Sequence, residues 1–230
     1  MHNLPKISYL IDNFISLAKK PSLSQILSMI DKNETFADRI KCAEKYLSHL
    51  SSGSSRIVFK SPSGSVIKLA KNEKGIAQNK EEVNISKHCK SKYINPIISH
   101  SKNFFFIETH LLPKINEKDF EQMTGVPFDD FGNAMRFTMK NLSHNNKKEP
   151  ENFSKISASD IYKNIIAIAK KFSLMGGDLA RISSFGKKDN HPVLLDAGLT
   201  KNVFEKFYDS SSSSDSLPSN KTPGETSNKS

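Results

Sequence analysis

The chain has 230 residues, with 34 Lys and Arg against 24 Asp and Glu, for a net charge of +10. Hydrophobic residues make up 36% of it, which is enough for a core and excludes wholesale disorder; with 15 Phe and no Trp that core is built on phenylalanine. Cys42 and Cys89 are too few for a disulfide framework or a four-ligand zinc site, and no apolar run approaches the roughly 18 residues of a membrane span.

The opening Met1-His2-Asn3-Leu4-Pro5 lacks the basic end and apolar stretch of a signal peptide, so the expectation is a soluble intracellular protein with no membrane partner. Ile7, Leu10, Ile11, Phe14, Leu17 and Ala18 follow the rhythm of one helical face. After Pro21, Ser22 can cap a second helix carrying Leu23, Ile26, Leu27 and Ile30. A third, capped by Thr35 or Asn33, carries Phe36, Ile40, Ala43, Leu47 and Leu50 and stops at the Ser-Gly stretch 51–55. Residues 1–50 therefore read as a helical extension.

The period then changes. Arg56-Ile57-Val58-Phe59 and Ser65-Val66-Ile67-Lys68-Leu69 are β-rich runs, joined by Ser61-Pro62-Ser63-Gly64, whose turn chemistry suits a hairpin. A helix is predicted over 75–89. Strands are predicted around Asn95–Ile98 and Phe104–Glu108, partial helix over 117–140, and a loop over 143–152. Ser159 opens a strong helix to about Leu174, with Ile161, Ile165, Ile168, Ala169 and Phe172 on its buried side. Pro192-Val193-Leu194-Leu195-Asp196 is an apolar strand ending on a carboxylate. From Ser210 onward one Leu and no aromatic remain, so 210–230 is expected to be a disordered Ser-rich tail.

In order, these elements give a hairpin with a Lys in its second strand, a helix with a Glu, two strands, a long helix, and two separated aspartates. The chain here resembles the protein-kinase-like fold over residues 53–208. Gly53-Ser54-Ser55-Arg56-Ile57-Val58-Phe59 takes the place of the phosphate-covering glycine loop, and Val66-Ile67-Lys68 resembles the VAIK strand. Gln78-Asn79-Lys80-Glu81-Glu82 lies on the helix that supplies the partner Glu. Glu81 and Glu82 both stand near the required place, and a phage-like pattern favours Glu82. Asn95-Pro96-Ile97 and the Phe104–Glu108 strand resemble those leading to the hinge at 109–112. Gly177-Asp178-Leu179 stands where the catalytic-loop Asp does, and Leu195-Asp196-Ala197-Gly198-Leu199, 18 residues further on, resembles DFG.

The resemblance implies an α+β, truncated bilobal fold. A small antiparallel sheet with a helix forms a small lobe at about 51–112, and a reduced helical lobe covers about 113–209. It implies ATP and Mg²⁺ as cofactors and a nucleotide as partner. Lys68 and Asp178 take the catalytic roles; Gly53, Ser54, Ser55, Lys68, Glu82 and Glu108 hold the nucleotide; Asp196 and Ser183 hold the metal. Phosphoryl transfer is mostly positioning and charge neutralisation, which is why a Lys for phosphates, a Glu to hold it and two carboxylates recur together. Each residue alone also has an ordinary reading, as an exposed strand lysine, a solvated helix glutamate or a turn aspartate. His88, His110, His144 and His191 are dispersed, with no metal-ligand spacing.

More narrowly, Lys74-Gly75-Ile76-Ala77-Gln78-Asn79, the run from Gly177 to Gly186, and Leu194–Thr200 resemble segments of short kinase-like proteins encoded by tailed bacteriophages. That implies a viral origin, a place in the host cytoplasm or the virion, and a host or virion protein as partner, without bringing an activity. Departures accompany the matches. The glycine loop has one Gly of three, Gly176-Gly177 replaces the His-Arg before the catalytic Asp, Ser183 stands for a metal-binding Asn, and about ten residues separate Gly198 from the tail. Three functions follow: an atypical minimal phosphotransferase, a weak or inactive kinase-like binding module, and, less favoured, a nucleic-acid-associated protein. The last draws on a pI near 9.4, but the Lys pairs are scattered rather than striped.

Overall fold

A computed structural model describes residues 20–141 and 148–209. The helix expected from Ile7 to Ala18, the Ser-rich tail, and the first half of the 143–152 loop lie outside these residues. Ser22 opens α1 (Leu23–Lys32) through a capping box with Gln25, satisfying amides that the first turn leaves without partners. Thr35, of the two candidates, caps α2 (Phe36–Tyr46). That helix ends short of its expected limit. Ser48–Ser52 leaves it as strand β1, because its backbone pairs antiparallel with β2 (Arg56–Lys60). Leu50, placed on the buried helical face by its spacing, is consequently 46% exposed.

Strand β2 pairs with β3 (Ser65–Ala70) across a turn in which Gly64 takes φ +83°, a conformation that costs glycine little. Helix α3 (Glu73–His88) follows. Then β4 (Ile97–His100) and β5 (Phe106–His110) complete a five-stranded antiparallel sheet in the order β1-β2-β3-β5-β4. Strand β5 starts two residues later than Phe104, which sits in a turn at φ 57°.

Strand parity sorts the sheet into two faces. Ile57, Phe59, Ile67, Leu69 and Phe106 share one face and form a core with Ile26, Leu27, Ile30, Ala43 and Leu47. The helices α1 and α2 are thus packed on the small lobe, a point the sequence left open. Arg56, Val58, Val66, Lys68 and Thr109 share the opposite face, which looks onto α3 and the rest of the chain.

The second lobe is mainly helical: α4 (Glu117–Thr124), α5 (Phe128–Asn141), α6 (Phe153–Ala158), α7 (Asp160–Phe172), the single turn α8 (Gly176–Leu179) and α9 (Lys201–Phe207). A hairpin of β6 (Phe185–Lys188) and β7 (His191–Leu194) precedes α9. Phe120, Phe131 and Phe185 are fully buried here, with Phe120 ring centroids 5.1 Å from Phe131 and 5.7 Å from Phe185. Burying each such ring contributes about 1.5–3 kcal/mol to holding this lobe together. The architecture is the α+β fold expected: a small antiparallel sheet with its helix, joined to a reduced helical lobe.

Candidate functional site

A cleft of about 870 Å³ separates the lobes. Its roof is the second sheet face, with Val58 and Val66 among its apolar residues, and its rear edge is the 109–112 segment, the end of β5 and the two residues beyond it. From below come Leu195 and Asp196 after β7, Asp178 on α8, and Ser183 on the following 3-10 turn.

Lys68 points from β3 into this space. Its Nζ donates to Glu82 Oε2 at 2.6 Å and to the Leu195 carbonyl at 2.6 Å, tying the sheet to α3 and to the lower lobe. Of the two candidate glutamates, Glu82 makes the pair and is buried, while Glu81 is only partly covered. Each side chain gives the other the partner that a secluded polar group requires.

Arg56 is the residue that sequence reasoning missed. Its Nη1 donates to Glu82 Oε1 at 2.5 Å, and its Nη2 reaches both Asp196 oxygens at 2.7 Å. The result is an alternating chain, Lys68–Glu82–Arg56–Asp196, spanning the cleft between the two lobes. A signal existed in the spacing. Counting back from Val58 in the pattern G-x-G-x-x-G-x-V, Gly53 is the second glycine and Arg56 occupies the third.

The electrostatics follow from this geometry. Burial works against the Asp196 charge, but the Arg56 guanidinium, then Lys68 and the Gly198 amide, hold the carboxyl well below the usual range. Burial also opposes the Arg56 charge, and Asp196 and Glu82 outweigh it, raising the guanidinium above its ordinary value. Asp178 shifts the other way: burial first and the Asp196 charge second push it up, against Arg181 and Arg56. Arg181 Nη1 lies 3.3 Å from Asp178 Oδ1 at the cleft mouth.

The remaining expected residues divide. Gly53 and Ser54 are exposed at the cleft lip. The loop is tied down from behind, with Lys71 Nζ donating to the Gly53 carbonyl at 2.9 Å and Asn72 Nδ2 to the Ser54 carbonyl at 3.0 Å. Ser55 is buried and donates its hydroxyl to Gln78 Oε1 at 2.7 Å, so its side chain braces the loop against α3. Glu108 does not join the site through its side chain. It shares the Ile67 face, where the hydroxyls of Ser65 and Ser99 donate to it at 2.6 and 2.7 Å. Its neighbour Thr109 faces the cleft instead. Ser183 is exposed at the lower rim.

Close packing fixes the two loops around this chain of charges. A Cβ on Gly75 would lie 2.3 Å from the Ser55 carbonyl oxygen, and one on Gly198 would lie 2.7 Å from that of Gln78. At the rear, Asn95 Nδ2 donates to the His110 carbonyl at 2.9 Å, while Asn95 Oδ1 is buried without a hydrogen-bond partner among the described residues. Tyr208, beyond α9, closes one side, its hydroxyl accepting from Gln78 Nε2 at 3.3 Å.

The residues present do not fit a Mg²⁺ ion of the kind the resemblance implies. Both Asp196 oxygens are engaged by Arg56, and Ser183 offers one exposed hydroxyl.

No protein-family model and no curated protein sequence matches the chain. Solved structures that resemble it include aminoglycoside phosphotransferase APH(2'')-Ib bound to ADP, at 17% identity and a TM-score of 0.35, covering 71% of this chain and 69% of that one. A streptomycin–ATP complex and a gentamicin complex of APH(2'')-IIa each align at 17% identity and a TM-score of 0.34. Both cover 86% of this chain, with 72% and 71% of theirs. These likenesses are distant, and no activity passes to this chain through them. Among the described residues no helix is long and apolar enough to cross a membrane.

Proposed function

We propose that the cleft binds a purine nucleotide, with its base between the lobes and its phosphates against Lys68. The observation that carries this reading is the Lys68 ammonium, held by Glu82 and the Leu195 carbonyl at the inner wall of a cleft that also presents Asp178 and Asp196. Val58, Val66, Leu112 and Leu195 supply apolar surface for the base. The unpaired Asn95 Oδ1 supplies an acceptor beside them. A thermal-shift titration with ATP tests this, because a ligand at about 100 times its Kd stabilises the fold by about 2.7 kcal/mol. The expected result is a rise in Tm with ATP that Lys68→Met abolishes. Equal midpoints with and without ATP would count against the reading.

Phosphoryl transfer is a second reading, favoured by Asp178. Its carboxylate opens to the same cleft and its proton affinity is raised, as suits a group that accepts a proton from an acceptor hydroxyl. The viral setting implied by the sequence segments would make a host or virion protein the acceptor. Label from γ-labelled ATP appearing on the protein or on a host extract, and lost in Asp178→Asn, distinguishes transfer from binding alone.

A further inference from the structure

Arg56 enters the cleft from a position where the loop pattern has a glycine, and it ends in contact with two carboxylates. Its side chain is 7% exposed, as is that of Glu82, whereas half of the Asp196 side chain faces the cleft. Both Asp196 oxygens nevertheless accept from the same guanidinium nitrogen, so a cation arriving from solvent would have to displace a buried charged group. Displacing it would leave a buried guanidinium without that partner, which a strongly hydrated ion does not readily offset.

The charges around the cleft point the same way. Lys68, Arg56 and Arg181 balance Glu82, Asp178 and Asp196 one for one, with Lys114 a further cation on the wall. Without Arg56 and Arg181 three carboxylates would face two lysines, and an approaching polyphosphate would meet unbalanced negative charge. With them, the approach of an anion meets no unbalanced carboxylate.

We infer that Arg56 takes the place of the divalent cation at Asp196, so that this cleft binds nucleotide polyphosphates without a metal ion. The inference rests on the nucleotide-binding reading and deepens it. Lys68 supplies the positive charge that faces the phosphates. Arg56 supplies the charge that keeps Asp196 from repelling them and locks α3 to the segment after β7. The ligand class is therefore a free nucleoside di- or triphosphate rather than its magnesium complex.

The test is calorimetric titration of ADP and ATP into the full chain, once with excess Mg²⁺ and once with EDTA. The expected result is binding at least tenfold weaker in excess Mg²⁺, which sequesters the free nucleotide, than in EDTA; equal affinities would show that the magnesium complex binds as well and overturn this inference. A fall of tenfold or more in EDTA for the wild-type protein overturns this inference alone. Absence of binding in both conditions overturns the nucleotide reading together with it. Arg56→Met, if it folds, is expected to turn binding Mg²⁺-dependent by at least tenfold; an unchanged preference for the free nucleotide in that variant also overturns the inference. A second measurement needs no variant. With ADP bound to the wild-type chain, Mn²⁺ should give the water-relaxation signature of the free Mn–nucleotide complex, and an enhanced, protein-immobilised signal refutes the assignment.

Discussion

Among the described residues Glu82 is the carboxylate that pairs with two buried cations, and this makes its replacement the sharpest perturbation of the structure. In Glu82→Gln, Lys68 and Arg56, both more than 90% buried, would face each other across a neutral amide. Breaking a buried pair by removing one partner costs about 3–5 kcal/mol, because the remaining charge stays desolvated. Lys68→Met acts at the end of the chain. Glu82 then keeps Arg56 at 2.5 Å, and only the bonds to Glu82 and Leu195 are lost. Because Glu82 keeps a cation partner, no buried charge is left unpaired, so this change should cost less than the first. For a fold of this size each kcal/mol moves Tm by about 2–4 °C, which puts Glu82→Gln roughly 6–20 °C below wild type. Urea unfolding followed by circular dichroism gives both values. A Glu82→Gln loss within about 1 kcal/mol of zero, or a Lys68→Met loss exceeding it, would refute the alternating-chain account.

The other expectations concern packing and pH. Gly75→Ala would place its methyl 2.3 Å from a backbone oxygen of the Gly53–Ser55 loop, so a loss of about 1–3 kcal/mol is expected, and a neutral outcome in urea melts would show that the loop is not held there. Asp196 is held below the ordinary carboxylate range, so its contribution is complete above the unfolded value of about 3.9 and is lost as pH falls through the lower folded one. The urea midpoint of wild type should therefore converge on that of Asp196→Asn as pH is lowered from about 5 toward 3, and a constant gap would exclude this linkage.

The β2–β3 hairpin was legible because its turn residues and β-branched runs state their structure locally, and the same holds for the capped helices α1 and α7. The approach of Lys68 to Glu82 followed from a family pattern rather than from spacing, since two adjacent glutamates differ only in which helix face they occupy. Strand β1 was hidden because all five of its residues are exposed and show no alternation. Its existence depends on a partner strand and on the backbone of Ser48–Ser52, not on side chains. Glu108 illustrates how a single residue of register decides a role. It pairs with Ile67, and its neighbour Thr109 with Val66, so side chains one position apart face the serines and the cleft respectively. Arg56 was overlooked because a missing glycine was counted only as a loss. The side chain that replaced it makes contacts 26 and 140 residues away, and no local pattern encodes them.

We propose that one cleft, closed by Lys68, Glu82, Arg56 and Asp196, is the nucleotide site. A crystal structure of the chain grown with ATP tests it most directly. The expected result is a triphosphate beside the Lys68 ammonium and a base between Val66 and Leu195, with Arg56 still on Asp196. A nucleotide bound elsewhere, or a Lys68 side chain turned away from the cleft, would contradict it.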